Sequence, residues 1–318
     1  MTIGRFCRSW KRFSLATPIR MRNLVLLAIS ATLSLGALPA CAQQTDSSVP
    51  FRGKTALVTG STDGLGREVA RELAASGAHV IIHGRNAERG RALVDEITKQ
   101  GKGSARFIAA DFASLAAGRK FADSIAKLYP RIDLLVNNAG ISLPRGESRR
   151  TSVDGHELHF AVNYLPGWIL VHRLRPALQA AAPSRVINVA SRAQSPIDFS
   201  DVMLEKPGAF NRGYGQSKLA QITMSVELAP DFQKSGITMV SLHPASMMNT
   251  AMVRGLGVEP RSTVDEGLTA VMNLVTMRTL EPGAYYNGTQ PATPHPQSQD
   301  TAARAQLRAL SARLTNVK

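Results

Sequence analysis

The chain has 318 residues, 44% of them hydrophobic, which is enough for a single α/β domain with a sizeable core. Six cations, Arg5, Arg8, Lys11, Arg12, Arg20 and Arg22, precede the first acid, Asp46, so only +9 of the formal charge of +15 belongs to the remainder; with no basic helix carrying interleaved aromatics there, that excess suits an anionic small ligand and excludes a nucleic-acid partner. Both cysteines, Cys7 and Cys41, fall in the N-terminal segment, which excludes a disulfide framework, a thiol nucleophile or a Cys-based metal site from the body, and no other metal-ligand cluster appears.

Residues 1–42 read as a targeting segment. A basic region ends at Arg22, Leu24 to Leu38 is uncharged and apolar, and Ala40-Cys41-Ala42 offers small residues for cleavage. Secretory export is the direct reading. Leu38-Pro39-Ala40-Cys41 also has the form of a lipoprotein box with Cys41 lipidated, and the uncharged run from Asn23 to Thr45 is the alternative of a membrane anchor. Met21 is a second candidate start, and Lys11-Arg12-Phe13 loosely resembles a twin-arginine signal, which would export the protein already folded. The expected location is outside the cytoplasm or attached to the membrane on its periplasmic side, and cytoplasmic if the segment does not function. A polar linker, 43–50, follows.

The body, 51–290, alternates strands and helices. A β-branched strand at 54–59 feeds Gly60-Ser61-Thr62-Asp63-Gly64-Leu65-Gly66, and a helix at 65–76 follows with Leu65, Val69 and Leu73 on one face and Gly77 placed for a left-handed cap. Strand, glycine turn and helix N-terminus make an anion site, because glycines admit a phosphate to the backbone and free N–H groups point at it. Further strands are expected at 79–83, 105–109, 132–136, 185–190, 237–242 and 284–286. Helices are expected at 87–100, 114–128, a long stretch ending near Ala182, Tyr214 to Ala229, and Asp265 to Met277. Thr289 to Asp300 reads as an irregular linker and Thr301 to Leu314 as a terminal helix, so 291–318 forms a C-terminal linker and helix. This alternation predicts a Rossmann-type, doubly wound parallel sheet of about seven strands with helices on both faces, its ligand crevice at the carboxyl ends of the strands.

Tyr214-Gly215-Gln216-Ser217-Lys218 places a phenol and an ammonium one helical turn apart on one face. An unneutralised Lys⁺ beside the phenol favours the phenolate, which brings acid-base chemistry toward neutral pH.

With Thr59-Gly60 and Gly64-x-Gly66, Asn137-Asn138-Ala139-Gly140 after an apolar strand, Asn163 within Phe160 to Leu165, Ser191 at the end of Val186 to Ala190, and Tyr214 with Lys218, the chain resembles the short-chain dehydrogenase/reductase family from about residue 50 to about 290. The resemblance implies an oxidoreductase that moves a hydride between nicotinamide and a carbonyl or alcohol carbon. Asn163, Ser191, Tyr214 and Lys218 would form its catalytic tetrad. Tyr214 would give or take the proton, Lys218 hold the nicotinamide ribose, Ser191 bond the substrate oxygen and Asn163 carry a water toward bulk solvent. Gly60, Ser61, Asp63, Gly64, Leu65, Gly66, Arg85, Asp111, Phe112, Asn138, Ala139, Gly140, Pro244 and Ala245 would join Tyr214 and Lys218 at the cofactor. In such a fold a carboxylate after the second strand suits NAD and a cation suits NADP; His83-Gly84-Arg85-Asn86 has no acid before Glu88, so NADP is preferred, with NAD the alternative.

Twenty-two residues separate Ser191 from Tyr214, and this insertion, with the segment from Val153 to Leu165, is similar to the retinol-dehydrogenase-like branch. Pro166 and Ala245 depart from it, each standing where glycine is usual. Met203, Leu204, Phe210, Met247, Met248, Met252 and Val253 in the segments bordering the pocket suggest a fairly apolar substrate. A homodimer or homotetramer is the expected assembly. Two rival readings are an NADP(H)-binding sensor or scaffold without turnover and a sugar-nucleotide epimerase, which shares the Tyr-x-x-x-Lys spacing.

Overall fold

The computed structural model describes residues 50–144, 146 and 148–317; the targeting segment and nearly all of the linker after it lie outside the described residues. One sheet organises the body, in the order β3-β2-β1-β4-β5-β6-β7-β8. The strands are β1 (Thr55–Val58), β2 (His79–Gly84), β3 (Ser104–Ala109), β4 (Leu134–Asn137), β5 (Ser184–Val189), β6 (Ile237–His243), β7 (Tyr285–Asn287) and β8 (Gln290–Ala292). Neighbours pair in parallel except β7 with β8, which are antiparallel.

Strand periodicity sorts the apolar side chains onto two faces. Leu57, Ile81 and Leu135 meet one core with helices α3 (Leu115–Leu128), α4 (Leu165–Arg173) and α6 (Gly213–Lys234). Their neighbours Val58, Ile82 and Val136 meet the other, with α1 (Gly64–Ala75), α2 (Ala87–Gln100) and α8 (Val264–Thr276), which follows the short α7 (Ala251–Gly255). From β1 the chain builds outward first to β2 and β3, then returns to β4 on the other side. The crevice therefore opens at the carboxyl ends of β1 and β4, where the winding reverses.

Two expectations about elements need correction. The long helix ending near Ala182 is three pieces: a π-helical turn over Phe160–Tyr164, α4, and α5 (Arg175–Ala180). Pro166 lacks an N–H for the carbonyl four residues back and its ring crowds that carbonyl, so the turn before it widens, and Pro176 stands at the start of α5. The segment after Thr289 is not irregular throughout. Asn287 pairs with Gln290 across Gly288 and Thr289, a two-residue hairpin with Gly288 at φ +60°, and this folds β8 onto the sheet edge. Pro291 is tolerated there because an edge strand needs no donor on its outer side.

The C-terminal residues pack on the same body through α9 (Thr301–Thr315), which covers α4 and α6. Tyr164 and Ser311 share a buried hydroxyl hydrogen bond of 2.6 Å, and Trp168 Nε1 donates to the Val317 carbonyl at 3.3 Å. Leu307 is fully enclosed, a burial that stabilises by about 1.5–3 kcal/mol. Among the described residues no helix is long and apolar enough to cross a membrane.

Candidate active site

The glycine loop leaves β1 and enters α1 through positive-φ backbone at Gly60 (φ +64°) and Gly64 (φ +53°), a conformation that glycine adopts without steric cost. Gly66 is required for a different reason. A Cβ there would stand 2.4 Å from both Asn138 Nδ2 and the Gly60 carbonyl oxygen. Asn138 binds this turn to β4 by donating from Nδ2 to the carbonyls of Thr59 (2.9 Å) and Gly60 (3.1 Å). Thr59 Oγ1 in turn accepts from the amides of Asn138 and Ala139, both at 3.0 Å. The close approach of two backbones thus leaves a cradle beside the α1 N-terminus, a place that favours an anion.

Ser61 lies behind this cradle. It is fully buried, its hydroxyl donates to the Val58 carbonyl at 2.7 Å and accepts from the His83 amide at 3.0 Å, and Thr62 faces the cleft in its place. Asp63 caps α1, with Oδ1 accepting from the Gly64 amide at 2.8 Å and Oδ2 paired to Arg89 at 2.7 Å.

At the other end, α6 carries Tyr214 and Lys218 into the cleft below Ser191, which follows β5. Lys218 Nζ donates to the Val189 carbonyl at 2.8 Å and to Gln221 Oε1 at 3.0 Å, and lies 5.7 Å from the centre of the Tyr214 ring. Asn163, in the π-helical turn, clamps Ile141: Oδ1 accepts from its amide at 2.7 Å and Nδ2 donates to its carbonyl at 3.1 Å. Its Nδ2 also donates to Ser217 Oγ at 3.0 Å, which ties the turn to α6. A Cβ on Gly140 would stand 3.3 Å from Asn163 Oδ1 and 3.5 Å from Lys218 Nζ, so both polar groups face the glycine's open side.

The electrostatics depart from the expected acidified phenol. Burial raises the Tyr214 pKa, opposed by its hydrogen bond with Ser191, and burial lowers Lys218 to about 7. Both groups are shifted toward their neutral forms, because a dry site disfavours either charge.

One cleft of about 1530 Å³ collects these groups. Gly60, Asp63, Gly64, Leu65, Gly66, Arg85, Asp111, Phe112, Asn138, Ala139, Gly140, Ser191, Tyr214, Lys218, Pro244 and Ala245 all line it. Of the expected residues, Ser61 and Asn163 do not, acting instead from behind its wall. Among the described residues no group of three or more His, Cys, Asp and Glu is placed to hold a metal.

Residues 54–260 match the family model described as short chain dehydrogenase. The chain belongs to the short-chain dehydrogenase/reductase family. Its relatives place this short-chain dehydrogenase in the retinol-dehydrogenase-like branch of that family of nicotinamide-dependent oxidoreductases. It is 32% identical to retinol dehydrogenase 13 of Homo sapiens over 296 residues, covering 86% of this chain and 87% of that one. It is 37% identical over 211 residues to the human dehydrogenase/reductase SDR family member 13, covering 64% of this chain, and so spans only 54% of that relative's length. Among solved structures it resembles an uncharacterized protein from Mycobacterium paratuberculosis (TM-score 0.69, 25% identity, covering 86% and 97% of the two chains). It also resembles Pseudomonas aeruginosa RhlG in an active-site complex with NADP (TM-score 0.61, 28% identity, covering 74% and 94%).

Two features of this short-chain dehydrogenase were not read from its sequence. His83, at the end of β2, accepts from the Gly60 amide at Nδ1 (3.1 Å) and stacks on Phe112 with ring centres 4.0 Å apart. Burial lowers its pKa to about 3, so it is a neutral prop for the loop. Gln194 and Gln297 tie the segment after Ser191 to the C-terminal region: the His295 amide donates to Gln194 Oε1 at 2.7 Å, and Gln297 bonds both the amide and the carbonyl of Ile197, at 2.7 and 2.9 Å. The only available signal for the first was a histidine where the strand enters its glycine turn, and for the second there was none.

Proposed function

We propose that this short-chain dehydrogenase is an NADP-preferring oxidoreductase acting on a fairly apolar carbonyl or alcohol, with Tyr214 as the general acid and base. One observation carries the reading: a single cleft runs from the glycine loop and Arg85 to Ser191, Tyr214 and Lys218. The glycine cradle and the cations Arg85 and Arg89 suit the pyrophosphate and the 2′-phosphate of NADP, and no carboxylate stands between β2 and Glu88 to favour NAD. A nicotinamide dinucleotide bound there supplies or accepts the hydride.

The remaining work falls to the chain. Ser191 bonds the substrate oxygen as charge develops on it. Tyr214, kept protonated at neutral pH by burial, gives its proton to that oxygen in the reductive direction; in the oxidative direction the phenol first passes its proton to the neutral Lys218 amine and then takes the one the alcohol releases. Lys218, with a pKa of about 7, is acidic enough to return a proton to the phenolate, and Asn163 holds the Ile141 backbone on the glycine side of that amine. Met247, Met252 and Val258 stand exposed at the mouth, which supports an apolar substrate. The name retinol dehydrogenase belongs to the relatives; the lining of this cleft supports the broader class. Residues 1–42 support export or periplasmic membrane attachment, to be tested by fractionating tagged protein with and without a functional twin-arginine pathway.

A panel of aldehydes, ketones and alcohols assayed with NADPH and NADH, or their oxidised forms, tests this reading. Turnover of apolar members with a preference for the phosphorylated cofactor is expected. Tight NADPH binding without turnover would favour the sensor or scaffold.

A further inference from the structure

A second cluster of buried ionisable groups lies behind the cleft wall, apart from the four residues above. Glu157 and His159 are 2% and 5% exposed, and their side chains meet at 2.7 Å, Glu157 Oε1 to His159 Nδ1. Each remaining polar atom is also engaged. Glu157 Oε2 accepts from the Phe160 amide at 2.8 Å, where the π-helical turn begins, and His159 Nε2 accepts from the Leu143 amide at 3.2 Å. These contacts allow one arrangement of the imidazole proton: Nδ1 carries it and donates to Glu157, leaving Nε2 bare for Leu143.

Three parts of the site converge on this pair. The turn after Gly140 is clamped twice from one helical face, Ile141 by Asn163 and Leu143 by His159, four residues apart. Ile141, Ser142, Leu143 and Pro144 line the cleft. The start of α6 is seated on the same pair, since a Cβ on Gly213 would stand 2.7 Å from Glu157 Oε1 and 2.8 Å from His159 Nδ1. The next residue, Tyr214, presents its ring edge-on to His159, centres 6.2 Å apart at 83°. No hydrogen bond joins the two, so His159 is not on the proton path.

We propose that Glu157 and His159 are a positioning dyad that fixes the 141–144 turn against the start of the Tyr214 helix and thereby sets how a substrate carbonyl meets the phenol. This rests on the reading of Tyr214 as the acid and base. Glu157 chooses the tautomer, the tautomer holds Leu143, and Gly213 locks Tyr214 to the same two side chains. Displacing a reacting group by a fraction of an ångström is costly in rate, so a support of this kind acts on turnover while the dinucleotide end is untouched.

The test uses Glu157→Gln, which keeps size and shape but turns one carboxylate oxygen into a donor. Whichever way the amide faces, a donor meets the Phe160 amide or His159 Nδ1 is forced to accept, and Nε2 then opposes the Leu143 amide with its own proton. Amide exchange is expected to quicken at least about tenfold at Leu143 or at Phe160, according to which of the two the amide nitrogen displaces, and kcat/KM on an accepted carbonyl to fall at least about tenfold with NADPH affinity within about twofold of wild type. Unchanged exchange and unchanged kcat/KM would overturn the proposal. Should the variant not fold, ¹⁵N spectra of the wild-type imidazole decide: the Nδ1–H tautomer is required at His159, and the Nε2–H tautomer would overturn it. The spectra and the exchange rate need no substrate, so absence of turnover by the wild type would count against the enzymatic reading and leave the dyad to be judged on them.

Discussion

His83 Nδ1 accepts a hydrogen bond from the Gly60 amide at 3.1 Å, so a neutral imidazole at the end of β2 holds the first glycine of the loop that begins after β1. The same residue pairs twice with Ser61 through the backbone, its carbonyl accepting from the Ser61 amide at 2.8 Å and its amide donating to Ser61 Oγ at 3.0 Å. Two adjacent strands and the loop between them are thereby set as one piece.

A pH dependence follows for His83. Its folded pKa of about 3 lies below the ordinary value of 6.5, so between those limits the unfolded chain binds a proton that the folded chain does not, and stability is lost as pH falls through that window. Replacing His83 by Leu should remove up to about 1.4 kcal/mol per pH unit from the acid-side slope, and weaken NADPH binding by roughly tenfold through loss of the Gly60 contact. Denaturant unfolding at several pH values and calorimetric titration measure the two effects. An unaltered slope would mean that the imidazole is not buried neutral.

Lys218 gives the opposite end of the pH range. Its folded pKa of about 7 lies below the ordinary value of 10.5, so stability should rise with pH between those values as the unfolded chain alone keeps the proton. Lys218→Met should flatten that rise in the dinucleotide-free protein. The same substitution should lower turnover by at least about tenfold, since the reloading amine is gone. A parallel slope in wild type and variant would show that the amine stays charged.

Arg85 is expected to decide between the two dinucleotides. If Arg85 meets the 2′-phosphate as proposed, Arg85→Ala should remove a charge-assisted bond and raise the KM for NADPH by about ten- to a hundredfold with NADH little affected. Steady-state kinetics with both cofactors check this. An equal effect on both would place Arg85 elsewhere than at that phosphate.

The C-terminal helix is expected to be part of the folding unit. Leu307, on the buried face of α9, is 1% exposed and shares a core cluster with Tyr164 and Trp168, and Leu307→Ala should cost about 2–5 kcal/mol by denaturant unfolding. A loss below about 0.5 kcal/mol would mean that the helix is a loosely held appendage.

What was legible in the sequence was local. The glycine loop, Asn137 to Gly140, and the Tyr214 and Lys218 pair are short spacings, and a strand or a helical turn converts each directly into geometry. The order of strands and helices was legible for the same reason, because hydrophobic period reports the face that is buried. Contacts across the fold were not. Ser61 looks like a loop residue until β2 is laid beside β1 and turns its hydroxyl inward. The Asn287-Gly288 hairpin was hidden by the Pro, Gln and Thr around it, although Asn-Gly is a turn signal. Pro166 stands out in the sequence as a departure, but its opening of the preceding turn around Asn163 depends on helix hydrogen bonding. The pKa of Tyr214 moved opposite to expectation because spacing reports the neighbouring cation and cannot report the desolvation of both groups.

The most direct measurement is a paired one on Tyr214→Phe: NADPH binding by calorimetry and turnover on the best substrate of the panel. The ring and its packing stay, and only the proton is removed, so we expect binding within about twofold of wild type and turnover reduced by at least about a hundredfold. Turnover at the wild-type rate would contradict the assignment of Tyr214 as the acid and base.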